Sequence, residues 1–342
     1  MTYRRIIIAI LIIITTAISL YITVGKVFQN KSSVREIYIG AWTSGFINNN
    51  TQEVVPNKLI DLENKINKKF AIAHFYRGWE HLEKDDLHND LNIINSQGWI
   101  PLLSTNPYFF ENCKSSSTEH LYKAIAQGDC DEFIHNAGKN LSKLEHPIYF
   151  RFAWEMNVYS ISWSTIKTGD IPKDYISAWQ RIHKIFRQEG AKNITWVFSP
   201  NINTPDSIPY NELYPGDEYV DWIGLDGYNW GDTQSWSIWE SFDQVFNKSY
   251  TEITTLAPTK PLMIAEINST NIGGNKASWY TDMLEVQLIH KYPQIKAVIF
   301  FDEDKSFEEN VNWRIDIDKE SLQSFRKGIQ NSTYKSKVEN IQ

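Results

Sequence analysis

The chain predicts a (β/α)8 barrel on three observations. Eight short apolar runs are rich in β-branched and aromatic residues, each gap between them has room for a helix, and no run is followed by the Gly-x-Gly-x-x-Gly turn of a doubly wound nucleotide-binding sheet. The runs are Glu36–Trp42, Phe70–Tyr76, Trp99–Ser104, Ile148–Trp154, Ile194–Ser199, Val220–Tyr228, Pro261–Ile267 and Ala297–Phe301. Their starts lie about 26 to 49 residues apart, and Lys173–Glu189 and Lys276–Lys291 are candidate crossover helices. Eight such units over roughly 290 residues is the size of one barrel, and a chain of 342 residues can bury its core.

Residues 1–25 form a separate segment. Ile6 to Val24 is 19 residues without a charge, preceded by Arg4 and Arg5 and followed by Lys26. At a rise of about 1.5 Å per residue, a helix of this length nearly matches the roughly 30 Å hydrocarbon core of a bilayer. A cleaved signal peptide is the rival reading, but its apolar run is usually about 7–15 residues and ends in small residues. Arg4 and Arg5 on the short flank place the N-terminus in the cytoplasm and the barrel outside. The expectation is a single-pass protein of the cell membrane with an extracytoplasmic barrel, the alternative being secretion after signal cleavage. Residues 26–35 are then a stalk, 36–330 the barrel, and 331–342 a polar tail that is loose from about Ser332.

Composition narrows the partners. Lys and Arg total 34 against 41 Asp and Glu, a net charge of −7, which excludes a nucleic-acid backbone as the natural ligand. Thirteen Trp, 17 Tyr and 17 Phe exceed what a core of this size needs. Cys113 and Cys130 lie in one polar stretch, either bridged across a long loop or left as free thiols. No Cys/His pair around them has metal-ligand spacing, and no metal or organic cofactor is expected.

In a barrel of this kind, reactive groups sit where strands end at the carboxyl face. The fourth run leads into Trp154-Glu155-Met156-Asn157, and the seventh ends in Ala265-Glu266-Ile267-Asn268. These carboxylates end nearly opposite strands and would face each other across the mouth, the pair of groups that glycoside hydrolysis requires. A lone Glu after a strand is more often a solvated charge or an ion-pair partner; two of them in Trp-rich segments favour chemistry. The fifth run ends in Ser199-Pro200-Asn201 and the sixth in Asp226-Gly227-Tyr228-Asn229-Trp230. Arg151, inside the fourth run, could point inward and hold a carboxylate ionised, or form a structural ion pair. Trp42, Trp79, Trp163, Trp230 and Trp313 are candidates for stacking on sugar faces, against simple packing. His74 could bond a hydroxyl or sit satisfied in the core.

At these residues the sequence resembles glycoside hydrolase family 26, the retaining β-mannanases and related β-glucanases and xylanases. HPIYFRFAWEMN (146–157) looks like the family's segment with the acid/base Glu, and KPLMIAEINST (260–270) like the segment with the nucleophile. AWQRIHKIFRQEGAKNITWVFSPN (178–201), YPGDEYVDWIGLDGYNWG (214–231) and IFFDED…NWRIDID (299–318) resemble the blocks around strands five, six and eight, and GDCDEFI (128–134) the helix before strand four. The resemblance covers about residues 36–325. It implies Glu155 as acid/base on strand four, Glu266 as nucleophile on strand seven, Tyr228 as a hydroxyl bonded to the nucleophile, and cleft positions for Arg151, Asn157 and Trp163. Trp154 stands where the family carries His, Val158 where it carries Gly, and Ser160 where mannanases carry an aromatic. Substrate-binding candidates are therefore Arg151, Trp154, Asn157, Trp163, Tyr228, Trp230, Trp42 and Trp313.

The expected activity is that of a retaining β-glycosidase acting by double displacement on β-mannan, β-glucan or an exported exopolysaccharide. The barrel is expected to be monomeric, with its two carboxyls about 5–5.5 Å apart. The alternative is a catalytically silent polysaccharide-binding barrel in exopolysaccharide assembly or export.

Overall fold

The computed structural model describes residues 35–108, 113 and 119–338. The charge-free run Ile6–Val24 lies outside the described residues. Among the described residues no helix is long and apolar enough to cross a membrane. The described residues from Ile37 onward form one compact unit.

Eight strands in chain order make the wall: β1 (Ile37–Thr43), β2 (Ile72–Tyr76), β3 (Ile100–Thr105), β4 (Ile148–Phe152), β5 (Ile194–Phe198), β6 (Trp222–Asn229), β7 (Leu262–Ser269) and β8 (Ile295–Asp302). Each pairs in parallel with the next, and β8 pairs with β1 from Tyr38 opposite Ala297 to Thr43 opposite Asp302, so the sheet closes. Each of the eight apolar runs thus supplies one strand. The two candidate crossover helices appear as Pro172–Gln188, a continuous helix, and as Lys276–Thr281 running through a π-helical turn at Asp282–Gln287 into Leu288–His290.

The strands show the period-two alternation of a sheet buried on both faces. On β4, Ile148, Phe150 and Phe152 pack outward under the helices, while Tyr149 and Arg151 point into the barrel. The interior is layered along the barrel axis. Tyr149, Ile72, Leu102, Val197, Trp222 and Met263 pack together in an apolar plug. Nearer the carboxyl ends lie the buried polar groups His74, Ser104, Arg151, Ser199 and Asp226. An aromatic tier of Trp42, Tyr76, Tyr228, Trp230, Phe301 and Trp313 lines the mouth.

Two expectations are corrected. The tail is not loose from Ser332: Tyr334–Lys335 pairs with β1 at Ile37 and Tyr38, and the buried Tyr334 ring donates its hydroxyl to Leu284 O at 2.6 Å. An aromatic residue in an otherwise polar stretch had a place to be buried. Trp79 is not in the mouth: it is fully buried between barrel and helices, edge-on to Phe133, Phe150, Phe152 and Phe186.

Cys113 and Cys130 are bridged, closing a loop of 17 residues in sequence and tying it to the start of the helix Asp131–Ser142. By chain entropy such a closure stabilises the fold by about 3 kcal/mol.

Candidate active site

The site is assembled from strand ends. Past β4 the chain leaves regular strand geometry: Ala153 and Glu155 both take positive φ, 48° and 55°. For residues with a Cβ this costs about 1–2 kcal/mol each, so the neighbours must hold it. They do so from both sides, since Ala153 N donates to Thr105 O of β3 and Glu155 N donates to Ser199 O after β5, each at 2.8 Å. Strained backbone fixed between flanking strands aims the Glu155 side chain into the mouth.

Glu266 reaches the mouth by a different device. Strict alternation along β7 would place it with Ile264 on the helix side. Instead Leu225 of β6 pairs with Ile264 and Asp226 pairs with Glu266, leaving Ala265 as an extra residue. This one-residue bulge flips the alternation, so Ala265 and Glu266 both face inward while Ile267 returns to the helix-side core.

Around Glu266 three donors converge. Arg151 Nη2 lies 2.8 Å from Oε1, Tyr76 OH donates to Oε1 at 2.6 Å, and Tyr228 OH donates to Oε2 at 2.7 Å. The same Arg151 nitrogen lies 2.5 Å from Asp226 Oδ2. Arg151 is fully buried, with the Trp154 ring 5.4 Å from its guanidinium carbon and His74 Nε2 3.5 Å from Nη1. Burial and Arg151 push the His74 pKa down to about 3, so it is neutral and leaves the guanidinium as the cation of the cluster.

One fully buried cation faces three carboxyls, and the donors decide which of them ionises. Burial pushes Glu266 up, but Arg151 first and the two tyrosine hydroxyls with it outweigh burial and hold the carboxyl below its ordinary value. Glu155 has no such cradle. Burial first, then the charge of Glu266, raise it to about 7, and among the described residues only the side-chain amide of Asn201 donates to its Oε1. Asp226 is raised too, by burial and by the Glu266 and Glu155 charges acting against Arg151. At neutral pH the cluster therefore holds an ionised Glu266 opposite a Glu155 that still carries a large share of its proton.

The remaining sequence candidates fall into two groups. Trp154, Trp163, Tyr228, Trp230 and Trp42 are half-buried around the two carboxyls. Trp154 lies against Trp163 at 4.5 Å and Tyr76 at 5.2 Å, and the Trp163 indole N–H donates to Trp154 O at 2.7 Å. Trp42 stacks on Phe301 at 4.6 Å. The second group supports from beneath. Asn157 is fully buried, its side chain accepting from Asn201 N at 2.8 Å and donating to Asn201 O at 3.0 Å, which fixes the residue that bonds Glu155. Trp313 is 2% exposed and backs Tyr228 and Trp230 with ring centroids at 4.8 and 4.9 Å. His74 is a buried core residue, with Nε2 2.8 Å from Ser104 Oγ, while its buried Nδ1 has no hydrogen-bond partner among the described residues.

Sequence reasoning names Asn201 only as the end of the fifth run and does not single out Tyr76 or Lys276. Tyr76 ends an ordinary apolar strand, although its position at a strand's carboxyl end is a usable signal. Lys276 is buried and donates to the carbonyls of Arg314 at 2.8 Å and Trp313 at 3.3 Å, anchoring the wall behind Tyr228. Among the described residues no group of His, Cys, Asp and Glu could hold a metal ion.

A closed barrel with an ionised carboxyl on strand seven and a proton-bearing one after strand four has the site architecture of a glycoside hydrolase. The chain belongs to glycosyl hydrolase family 26, whose model matches residues 91–287. It is 32% identical over 269 residues to endoglucanase H of Acetivibrio thermocellus, covering 77% of this chain and 28% of that protein. It is 24% identical over 228 residues to a mannan endo-1,4-beta-mannosidase of Bacillus subtilis, covering 59% of this chain and 58% of that protein. The chain thus spans only part of the curated relatives it matches. Among solved structures it shares the fold of a family 26 β-mannanase from Bacteroides ovatus, with TM-score 0.64, 19% identity, and coverage of 90% of this chain and 94% of the other.

Proposed function

We propose that the chain is a retaining β-glycosidase in which Glu155 is the acid/base and Glu266 the nucleophile. The observation that carries this is the division of two carboxyls by one guanidinium: Glu266 held low by Arg151, Tyr76 and Tyr228, and Glu155 raised to about 7. Such a split is what double displacement uses. Glu155 protonates the departing glycosidic oxygen while the Glu266 carboxylate attacks the anomeric carbon, giving a glycosyl ester on Glu266. Glu155, now ionised, takes a proton from water as the water attacks the same carbon, and Glu266 leaves as carboxylate.

The substrate is a β-linked polysaccharide, with β-glucan ahead of β-mannan. Endoglucanase H is matched at higher identity over more of this chain than the mannosidase, and Ser160 stands where the resemblance expects an aromatic in mannanases. Reducing-sugar release from mixed-linkage glucan, mannan, xylan and purified exopolysaccharide tests it, with wild type, Glu155→Gln and Glu266→Gln side by side. Cleavage of one polymer, lost in both variants, is expected. No cleavage, with binding kept by all three proteins, would replace the enzyme with a silent binding barrel.

The run Ile6–Val24 between Arg4–Arg5 and Lys26 supports a membrane-tethered enzyme with its barrel outside the cytoplasm, working on polymer at its own envelope. Recovery of the protein in culture medium without residues 1–25 would contradict that placement.

A further inference from the structure

A ladder of rings leads outward from Glu266. Tyr228, bonded to Glu266 at 2.7 Å, lies 4.8 Å from Trp313; Trp313 lies 4.9 Å from Trp230; and Trp230 lies 5.3 Å from Trp236. Exposure rises along it, from Trp313 at 2% to Trp236 at 69%. An isolated surface indole needs no explanation, but this one continues the wall of the site and sits on a loop that is firmly held.

Thr233 Oγ1 donates to Trp230 O at 2.7 Å, and Ser237 Oγ to Gly231 O at 2.6 Å. Asn229 Oδ1 accepts from Gly231 N and Glu240 N, closing the loop at its base. Gln234 Nε2 donates to Glu309 O at 2.6 Å and Asn310 Nδ2 to Thr233 O at 3.1 Å, tying it to the loop after β8. Gly231 passes so close to Ile272 that a Cβ there would come within 2.0 Å of its carbonyl oxygen. A loop ordered in advance, presenting a large apolar face to water beside a polysaccharide cleft, has already met the ordering cost of binding a ring against that face.

We propose that Trp236 is a distal sugar platform, on which a pyranose unit of a β-linked polysaccharide stacks several units from the bond that is cut. This rests on the glycosidase reading and adds to it an extended, chain-length-selective cleft. Equatorial linkages give a flat ribbon that exposes C–H faces, and because the Trp236 ring is turned 61° from the Trp230 ring, it is the Trp236 face alone that such a unit meets at the outer end of the ladder.

Trp236→Ala, Trp236→Phe and a control, Phe307→Ala, separate the possibilities, since Phe307 is 98% exposed on the neighbouring loop and outside the ladder. On the cleaved polymer, Trp236→Ala should lower kcat/KM about tenfold through KM, as loss of one buried aromatic face predicts. Trp236→Phe should recover most of the loss, and Phe307→Ala should match wild type. On an aryl glycoside too short to reach the loop, Trp236→Ala should stay within twofold of wild type. Equal loss on both substrates, or none on the polymer, overturns the platform while the glycosidase reading stands. If wild type cleaves nothing, retardation in polysaccharide-containing native gels decides: weaker retardation of Trp236→Ala alone supports the platform, and equal retardation overturns it.

Discussion

Arg151 reaches Asp226 and Glu266 through one nitrogen, Nη2 lying 2.5 Å from Asp226 Oδ2 and 2.8 Å from Glu266 Oε1. A fully buried guanidinium shared by two carboxyls cannot neutralise both, so the phenols of Tyr76 and Tyr228 decide that Glu266 is the one ionised. The charge state of the proposed nucleophile is thus set by residues from β2, β4 and β6, none of them its sequence neighbour.

Arg151→Lys keeps a charge but loses the planar fork. With fewer donors reaching Glu266, its pKa should rise, and kcat/KM should fall about 10²–10³-fold with the acid limb of the pH profile moved upward. Wild-type activity in this variant would show that Arg151 does not set the charge of Glu266.

Glu155 gives the profile its alkaline limb. Raised to about 7 by burial and by Glu266, it carries its proton below that pH and loses it above. Activity as kcat/KM should therefore fall above about pH 7, and Glu155→Gln should lose that limb on a substrate with a good leaving group. The same group carries a stability signature. Its folded pKa lies above its ordinary 4.5, so the native state binds more protons in between and stability drains as pH rises from about 4.5 to about 7. Denaturant unfolding should show Glu155→Gln gaining on wild type between pH 5 and pH 8; parallel curves would contradict the burial argument.

The two tyrosines act on one carboxylate and so should not act additively. Tyr76→Phe and Tyr228→Phe should each cost about 10–100-fold in kcat/KM, with the double variant departing from the product of the two. A Tyr76→Phe enzyme indistinguishable from wild type would make that hydroxyl a packing detail.

The strands are legible in the sequence because each is a short apolar run ended by polar residues, and Glu155 and Glu266 because they are carboxylates at strand ends. The bulge at Ala265 is not legible there: alternation alone sends Glu266 to the helix side, and the register shift that reverses it belongs to the pairing with β6. Tyr76 is hidden for a similar reason, since its meaning comes from facing Glu266 across 190 residues of chain. Trp79 misleads because aromatic enrichment does not say which face of the wall a ring takes.

Lys276 offers a test away from the carboxyls. Burial lowers its amine to about 7 against an ordinary 10.5, so the unfolded chain binds more protons between those values and its contribution to stability grows as pH rises through that window. Lys276→Met leaves the Trp313 and Arg314 carbonyls without their donor and should destabilise by about 1–3 kcal/mol, with the deficit larger at pH 9 than at pH 7. A deficit that shrinks with pH would mean that the amine is not the buried group described.

Azide rescue tests the central assignment most directly, because the configuration of the product reports which carboxyl was removed. Glu155→Ala and Glu266→Ala would each be given azide and a β-glycoside with an activated leaving group, and the glycosyl azides read by NMR. Glu155→Ala should yield a β-azide, formed by attack on the glycosyl ester, and Glu266→Ala an α-azide, formed by direct displacement. The reverse pairing, or a β-azide from Glu266→Ala, would contradict the assignment of Glu155 as acid/base and Glu266 as nucleophile.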